Sequence, residues 1–407
     1  MRKVELLAPA GDLARLKVAV RYGANAVYLG GKKFSLRSRA SNFDIEDIAE
    51  GVQFAHAHGA HVHVTVNMLP HEEDLEGLEA YLKDLERVGV DAIIVASFHI
   101  MKLAKQVAPN LEVHVSTQHS STNSGVIDFY EKQGMNRVVL ARECTLDDVK
   151  ATMQHAKLPV EVFIHGGMCI SYSGRCTMSN SMTLRDANRG GCAQSCRWKY
   201  KLYDKDVPIY KEDHLFSMSS KDLNAMRFLP ELIDAGVASF KIEGRMKSPY
   251  YLATVVRSYR KLIDTYQETG QLTDADFDWV VRELAKAENR LTGPGFYAGL
   301  PKMEDHLYGV NGAGVSQEFI AYVLDYDQET QMAKLEVRNN FKIGDEAEAF
   351  GPSLDNTNFK VDTLYDEDGE IVDVARNPMQ VLYTKVDIKL QKHDMIRKVM
   401  TKREKVY

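Results

Sequence analysis

The chain has 407 residues, of which 44% are hydrophobic and 27% charged, the composition of an ordinary folded enzyme rather than of a disordered or fibrous protein. Its net charge of −6 excludes a surface that is basic all over, so a nucleic acid would have to meet a local basic patch. The apolar run at the start is too short for a secretory signal, and no stretch approaches the roughly 20 apolar residues of a membrane span. We expect a cytoplasmic protein with no membrane partner.

The first part of the chain repeats one pattern, in which a short aliphatic run is followed by a polar turn and a helical stretch. Eight such runs occur, the number that a closed parallel barrel needs. The pattern predicts a TIM-type (β/α)8-like barrel. An open doubly wound sheet is the alternative, and it is weakened because no G-x-G-x-x-G follows the first run. The predicted strands are 4–8, 26–29, 61–66, 92–95, 113–116, 137–140, 160–164 and 239–242.

The repeat is interrupted once, by a cysteine-rich insertion at 165–222 that leaves the seventh predicted strand. In a barrel this is the face that carries the chemistry. From about residue 313 the hydrophobic period becomes two, which predicts a small C-terminal all-β, barrel-like domain. We therefore divide the chain into a barrel domain (1–270, with the insertion), a helical segment and linker (271–312) and a β domain (313–407). Its basic end, including Arg397 and Lys398, is interpreted as a phosphate contact or as a solvated terminus.

Four of the five cysteines fall within 28 positions, with the spacing C-x6-C-x15-C-x3-C. In a reducing compartment such a group is more often metal-binding than disulfide-bonded. Thiolates bind zinc or the irons of a cluster, and structural zinc sites usually pair their ligands over gaps of two to four residues. Only the last pair has such a gap, so the spacing favours iron–sulfur over zinc. The ligands would be Cys169, Cys176, Cys192 and Cys196, whereas the separate Cys144 is either a nucleophile or a small apolar residue.

Charged side chains follow several predicted strands at the same end of the barrel. Lys241, Glu243 and Arg245 alternate at the end of the eighth strand, which places a carboxylate between two cations that either bind an anion or neutralise themselves. Arg142 follows the sixth strand, and Arg37 lies in the loop after the second. Because arginine forks match carboxylate geometry, we interpret the four cations as candidate substrate-binding residues. The candidates for catalysis, which the sequence leaves open, are Glu243 and His165.

The segment that begins the insertion resembles the signature of the collagenase-like peptidase family U-32. The opening ELLAPAGD and the stretch AVYLGGKKFSLR resemble the amino-terminal hallmark of the same family. One signature position that is usually serine or alanine is Gly167 here. The resemblance covers essentially the whole chain, and within the family it is strongest to the bacterial proteins that form 5-hydroxyuridine in tRNA. The residues that carry the signature are Glu161, Phe163, Gly166, Cys169, Gly174, Cys176 and Ser179.

The resemblance implies a barrel with a β-rich C-terminal domain and a 4Fe-4S cluster on the four clustered cysteines. It also implies hydroxylation of the wobble uridine of tRNA, with prephenate as co-substrate. Our own hypothesis is that the four cations bind the carboxylates of this co-substrate. The family name indicates a peptidase, but the sequence has no H-E-x-x-H helix and no G-x-S-x-G elbow. A collagenase-like peptidase is the first alternative. The second is an RNA-docking subunit that works with a related family chain.

Overall fold

The computed structural model describes residues 3–36, 43–210, 215–287, 290–307, 314 and 316–399. The chain divides into two compact units. The first comprises Met1–Asp278 and Arg290–Gly312, and the second comprises Trp279–Asn289 and Ala313–Tyr407. The stretch 271–312 is thus shared between the two units.

Eight parallel strands of the first unit close into a barrel. Each strand pairs with the next along the chain, and the eighth pairs with both the first and the seventh. The closing register places Ser239 opposite Glu5 on one side and Glu161 on the other. The predicted TIM-like barrel is confirmed, and the open sheet is excluded. The strands are Glu5–Pro9, Ala26–Gly30, His61–Val66, Ala92–Val95, Glu112–Val115, Arg137–Val139, Val160–Gly166 and Ser239–Ile242.

At least one α-helix lies between each strand and the next, and the helices Pro249–Thr269 and Asp274–Leu284 follow the eighth. Local chemistry fixes their ends: Asp12 and Asp44 accept hydrogen bonds from the backbone N–H groups of Arg15 (2.8 Å) and Asp47 (2.9 Å), which would otherwise lack partners at a helix start. The first helix is followed by Gly23 at φ +109°, a conformation that favours glycine. The helices are Leu13–Arg21, Ile45–Ala57, Leu78–Arg87, Phe98–Val107, Ser124–Lys132, Leu146–Met153, Leu229–Asp234 and Pro249–Thr269.

The insertion contains little regular structure. Among its described residues are the short helix Met178–Thr183 and a hairpin of Tyr203–Asp204 with Val207–Pro208. It returns to the barrel through Asp222–Asn224, which pairs antiparallel with the end of the seventh strand. Thr292–Gly293 then pairs with that segment, so part of the predicted linker is attached to the barrel.

The barrel interior carries a buried set of charged side chains from four strands, here called the barrel network: Glu5, Arg137, Glu161 and Lys241. Arg137 donates to Glu5 (Nη1–Oε1 2.5 Å) and to Glu161 (Nη1–Oε2 3.1 Å). Lys241 donates to Glu161 (Nζ–Oε1 2.7 Å). Glu161 is fully buried and Lys241 is 4% exposed. Two cations and two carboxylates therefore compensate one another where water is scarce.

We expect the stabilising contribution of Glu5 to disappear in acid. Burial alone would raise the pKa of Glu5, but His63 and Arg137, with hydrogen bonds from Arg137 and Ser239, outweigh burial and lower that pKa from 4.5 to about 2. Since the folded value lies below the unfolded one, the carboxylate stabilises the fold above pH 4.5, and this stability is lost as the pH falls towards 2. Glu5→Gln should lower the free energy of unfolding by about 3 kcal/mol at neutral pH and by almost nothing at the acid limit.

Urea unfolding of both chains across this pH range measures the difference. Glu50→Gln is the matched control, because the Glu50 carboxylate pairs with Lys17 (2.6 Å) on the surface and should matter little at any pH. An effect of Glu5→Gln that does not vary with pH would contradict the assignment.

The second unit contains a six-stranded antiparallel sheet. Its apolar face packs with neighbouring loops into a core that includes Ile320, Leu335 and Leu382. The tail was expected to be β-rich and barrel-like, and the structure confirms an antiparallel β domain that forms a half-barrel. Its edge strand Val381–Lys385 is extended by a bridge between Tyr383 and Tyr365. The strands, in sheet order, are Thr357–Lys360, Glu346–Phe350, Met395–Val399, Gln317–Asp327, Met332–Val337 and Val381–Lys385.

Arg397 corrects one prediction about the basic end of the chain. It lies in a central strand and is fully buried, where it donates to Glu348 (Nε–Oε1 2.6 Å) and to Glu283 (Nη2–Oε2 2.8 Å). Lys398 is also buried. Two carboxylates on other elements of this unit compensate the guanidinium, so Arg397 is neither a phosphate contact nor part of a solvated terminus.

Across the part of the chain that the structure describes, we find no helix with the length and apolar character to cross a membrane.

Candidate metal centre and substrate cavity

A cavity of about 200 Å³ lies between the carboxyl ends of the barrel strands and the insertion. All four clustered cysteines line it from the insertion side. From the barrel side come side chains of several strand ends. The structure thus brings the predicted metal ligands and most of the predicted substrate-binding residues to one place. The barrel-side lining includes Tyr28, Thr65, Asn67, Gln118, Arg142, Phe163, Lys241, Glu243 and Arg245.

The cysteines are held by the loops of the insertion rather than by regular elements. Cys169 and Cys192 are exposed, whereas Cys176 and Cys196 are half-buried, and none of the four forms a disulfide. Asn188 donates to the backbone carbonyl of Cys176 (Nδ2–O 3.0 Å). Burial raises the pKa of Cys196, and Cys169, Cys192 and Cys176 raise it further, whereas Arg197 lowers it.

Glycine allows the first two cysteines to approach the barrel. Gly174 has φ +75°, and a Cβ at this position would lie 1.9 Å from the carbonyl oxygen of Gln118. A side chain there would therefore push the loop away from the strand ends. The adjacent Ser173 is fixed by its backbone N–H, which donates to Glu143 (N–Oε1 3.0 Å). These contacts hold the loop that carries Cys169 and Cys176 against the cavity.

Arg142, Glu243 and Lys241 form the charged side of the cavity. The Arg142 guanidinium lies over the Phe163 ring, with its Cζ 3.7 Å from the ring centroid, and its Nη2 is 3.5 Å from Glu243 Oε2. Tyr28 donates to the same carboxylate oxygen (Oη–Oε2 3.2 Å). The Lys241 ammonium lies 4.5 Å from the centroid of the Tyr28 ring while it donates to the barrel network. A stacked guanidinium and an ammonium bordered by aromatic rings suit an anion that carries apolar parts.

The other two predicted substrate-binding cations differ from this pair. Arg245 lines the cavity but is buried, and it donates to Ser35 (Nη1–Oγ 3.2 Å), Thr65 (Nη1–Oγ1 3.3 Å) and the carbonyl of Leu36. Its fork therefore orders the loop after the second strand. Arg37 lies outside the described residues.

His165 and Cys144 lie away from the cavity lining. His165 is 1% exposed, and its ring nitrogens contact the hydroxyls of Tyr259 (Nδ1–Oη 3.1 Å) and Tyr251 (Nε2–Oη 3.1 Å) on the last barrel helix. Burial, and then Asp148 and Glu143, raise the pKa of Cys144 to about 12. A thiol this hard to ionise is a poor nucleophile, so Cys144 fits the apolar interpretation.

Sequence reasoning missed the aromatic side chains of the cavity. Tyr28 follows Ala26 and Val27, and Phe163 lies between Val162 and Ile164, so each is an aromatic residue among aliphatic neighbours, which was the available signal. Tyr297, in the Gly/Pro-rich stretch interpreted as a linker, donates to the carbonyl of Phe163 (Oη–O 2.6 Å). A pair of aromatic residues in so flexible a sequence is unusual and would have indicated a packed segment.

The distances between potential ligand atoms distinguish the cysteines from two clusters that contain histidine. In the described part of the chain, two sets of three His, Cys, Asp or Glu side chains have ligand atoms mutually within 4.8 Å, and neither set includes a cysteine. A tetrahedral zinc ion binds its sulfurs at about 2.3 Å and so sets them about 3.8 Å apart. No three of the four thiols lie mutually within 4.8 Å. The two sets are His56, His61 and Asp91, and His63, His114 and Glu161.

Comparison with known proteins identifies relatives over the full length. Residues 11–307 match Peptidase family U32, and residues 315–397 match the Peptidase family U32 C-terminal domain. The tRNA hydroxylation protein P1 of Bacillus subtilis (strain 168) is 48% identical over 402 residues, which cover 98% of this chain and 95% of that protein.

Two further relatives carry different names. The 23S rRNA 5-hydroxycytidine C2501 synthase of Escherichia coli (strain K12) is 42% identical over 275 residues, which cover 67% of this chain and 41% of that protein. A collagenase of Porphyromonas gingivalis (strain ATCC BAA-308 / W83) is 32% identical over 364 residues, which cover 86% of this chain and 87% of that protein. The family matches confirm the resemblance found in the signature around the first two clustered cysteines, and the chain belongs to peptidase family U32.

Proposed function

We propose that this chain is an RNA-modifying enzyme that hydroxylates the wobble uridine of tRNA to 5-hydroxyuridine, with prephenate as co-substrate and a 4Fe-4S cluster as cofactor. One observation carries the proposal: four thiols of the insertion and the charged group of Arg142, Glu243 and Lys241 line the same cavity. Relatives named for tRNA hydroxylation and for 5-hydroxycytidine synthesis in rRNA support the reaction class.

Cys169, Cys176, Cys192 and Cys196 would hold the cluster. Four thiolates match the donor set of a 4Fe-4S centre. No three of them lie mutually within 4.8 Å, which favours a centre larger than a single zinc ion. When bound, the cluster supplies one-electron chemistry next to the substrate. The backbone around Cys176 and Cys192 accepts hydrogen bonds from Asn188 (3.0 Å) and Arg185 (3.3 Å), which fixes the loops that present the sulfurs.

Arg142 and Lys241 would bind the carboxylates of the co-substrate. Arg142 is oriented by its stack on Phe163, and Lys241 by its ion pair with Glu161, so neither side chain has to be ordered when the substrate arrives. Glu243, between Tyr28 and Arg142, is the carboxylate placed to accept a proton from the substrate.

The insertion offers the surface for the RNA backbone. Residues 166–202 contain six Lys and Arg against one Asp, a local charge of +5 in a chain of net charge −6. Lys199 and Lys201 are exposed, and Trp198 between Arg197 and Lys199 is 43% exposed. Cations next to an accessible aromatic ring suit phosphate contact with base stacking.

The cavity does not favour the peptidase alternative. Cys144 lies off the lining with a raised pKa, and both ring nitrogens of His165 contact tyrosine hydroxyls. Neither residue is placed to act as a nucleophile or as its base.

The test is nucleoside analysis of tRNA. A strain that lacks the gene should lose 5-hydroxyuridine, and the purified chain with prephenate should restore it to that tRNA without a second protein. Arg142→Lys keeps the charge but loses the fork and should lower the rate about tenfold or more, since a hydrogen bond to a charged group contributes about 1.5–3 kcal/mol. An unchanged 5-hydroxyuridine content would refute the function. Activity only with an added family chain would establish the docking-subunit alternative.

A further inference from the structure

A second cavity, of about 190 Å³, lies on the other side of Cys169. Met168, Cys169 and Ile170 line both cavities, so this short segment is the wall between them. The remaining lining comes from the end of the insertion and from the stretch 293–306, all within the first unit. These other lining residues are Ser220, Lys221, Gly293, Gly295, Phe296, Pro301, Asp305 and His306.

The stretch that was interpreted as a linker is a fixed wall of this cavity. Its start pairs with the segment Asp222–Asn224 as a parallel strand. The backbone N–H of Lys221 donates to the carbonyl of Asp305 (2.9 Å), and Ser220 forms a β-bridge with His306. Tyr297 donates to the seventh strand (Oη–Phe163 O 2.6 Å). The cavity is therefore pre-formed by the fold.

The two cavities differ in chemistry. The first contains two arginines and a lysine from the barrel, and it suits carboxylates. The second has apolar walls of Met168, Ile170, Phe296 and Pro301, and its polar lining residues are Ser220, Lys221, Asp305 and His306. In an apolar site, a small number of polar groups is enough to fix the orientation of a mostly neutral ligand.

The polar groups of the second cavity include the hydrogen-bond donors and acceptors that would complement the edge of a uracil ring. Uracil presents an N–H donor between two carbonyl acceptors. Asp305 offers a carboxylate acceptor, while Lys221 and the Ser220 hydroxyl offer donors. Phe296 supplies an aromatic surface for the flat ring, and such stacking contributes substantially to base binding.

We propose that this second cavity binds the pyrimidine base, flipped out of the RNA, while the first cavity binds the carboxylate co-substrate on the opposite side of Cys169. The inference rests on the proposed function, because a base and a separate co-substrate that react with each other need two binding sites next to the same metal centre. An enzyme that acts on a base has to take it out of its stack, and a pre-formed apolar cavity receives it.

Photo-crosslinking locates the base without relying on catalysis. The probe is an RNA hairpin with one 5-iodouridine in its loop, irradiated with the full chain purified anaerobically, and the crosslinked peptide is identified by mass spectrometry. We expect the crosslink in 293–306. Phe296→Leu should reduce its yield and the hairpin affinity about fivefold or more, whereas Phe296→Tyr keeps the ring and should retain both.

A second variant, Gly293→Val, adds a side chain where the second cavity is lined by glycine. A Cβ at Gly293 would lie 3.4 Å from Lys221 Cδ and 3.5 Å from Asp305 Oδ1, which are ordinary contacts, so Gly293→Val should fold and should reduce the crosslink as Phe296→Leu does. Prephenate affinity should stay unchanged in both.

The outcomes separate the two proposals. A crosslink to the first cavity, a yield unaffected by Phe296→Leu, or no crosslink at all would overturn the base site. If 5-hydroxyuridine is nevertheless formed, the proposed function stands and only the base site fails. If the crosslink maps to 293–306 but no 5-hydroxyuridine is formed, the cavity is a pyrimidine site and the hydroxylase function fails.

Discussion

Cys176→Ala should yield a folded but colourless chain that forms no 5-hydroxyuridine. Its side chain lines the cavity and is half-buried in an insertion outside the barrel core, so its loss should leave the barrel intact. Asn188 binds the backbone carbonyl at this position and is unaffected by the substitution. Loss of one of four thiolates leaves one iron without its protein ligand and should weaken the binding of a 4Fe-4S centre. Iron and sulfide per chain, visible absorbance of anaerobically purified protein, and tRNA nucleoside content measure the effect.

Cys144→Ala is the matched control. This cysteine is 5% exposed and lies off the cavity, so the variant should keep its iron, its colour and its activity with a modest loss of stability at most. A colourless wild-type chain that contains one zinc would refute the cluster. Equal loss of iron in both variants would show that folding, rather than ligation, was disturbed.

Glu161→Leu should lower the free energy of unfolding of the first unit by about 3 to 5 kcal/mol, the loss expected when one partner of a buried ion pair is removed. Glu161 is fully buried and accepts from Lys241 (2.7 Å) and Arg137 (3.1 Å). Without it the barrel would contain two cations against the single carboxylate of Glu5. Urea unfolding followed by circular dichroism measures the change.

A double-mutant cycle tests the cause. Glu161→Leu with Lys241→Met removes both partners and should be less destabilising than the sum of the two single changes. Glu79→Ala, which breaks an exposed pair with Lys83 (2.6 Å), should change the free energy of unfolding by less than about 0.5 kcal/mol. Additive effects in the cycle would show that Glu161 and Lys241 do not act as a pair.

The sequence by itself determined the class of fold and predicted the four cysteines as a ligand set. Short aliphatic runs, each followed by a helical stretch, occur at the spacing of a barrel because burial on both sides of a parallel strand selects such runs locally. The change to a period of two after residue 313 likewise identified the β domain. The four cysteines stood out because they cluster in the only interruption of the repeat.

The tertiary structure decided which charged residues have partners and which face the cavity. Glu161 and Lys241 are 80 positions apart, and Arg397 and Glu283 are 114 apart, so no local pattern links them. Arg245 has the same charge as Arg142, yet its fork is already engaged by the loop after the second strand, whereas Arg142 lies stacked beside Glu243. The sequence states the chemical identity of each side chain. Its burial and its partners depend on residues that only the folded chain brings together.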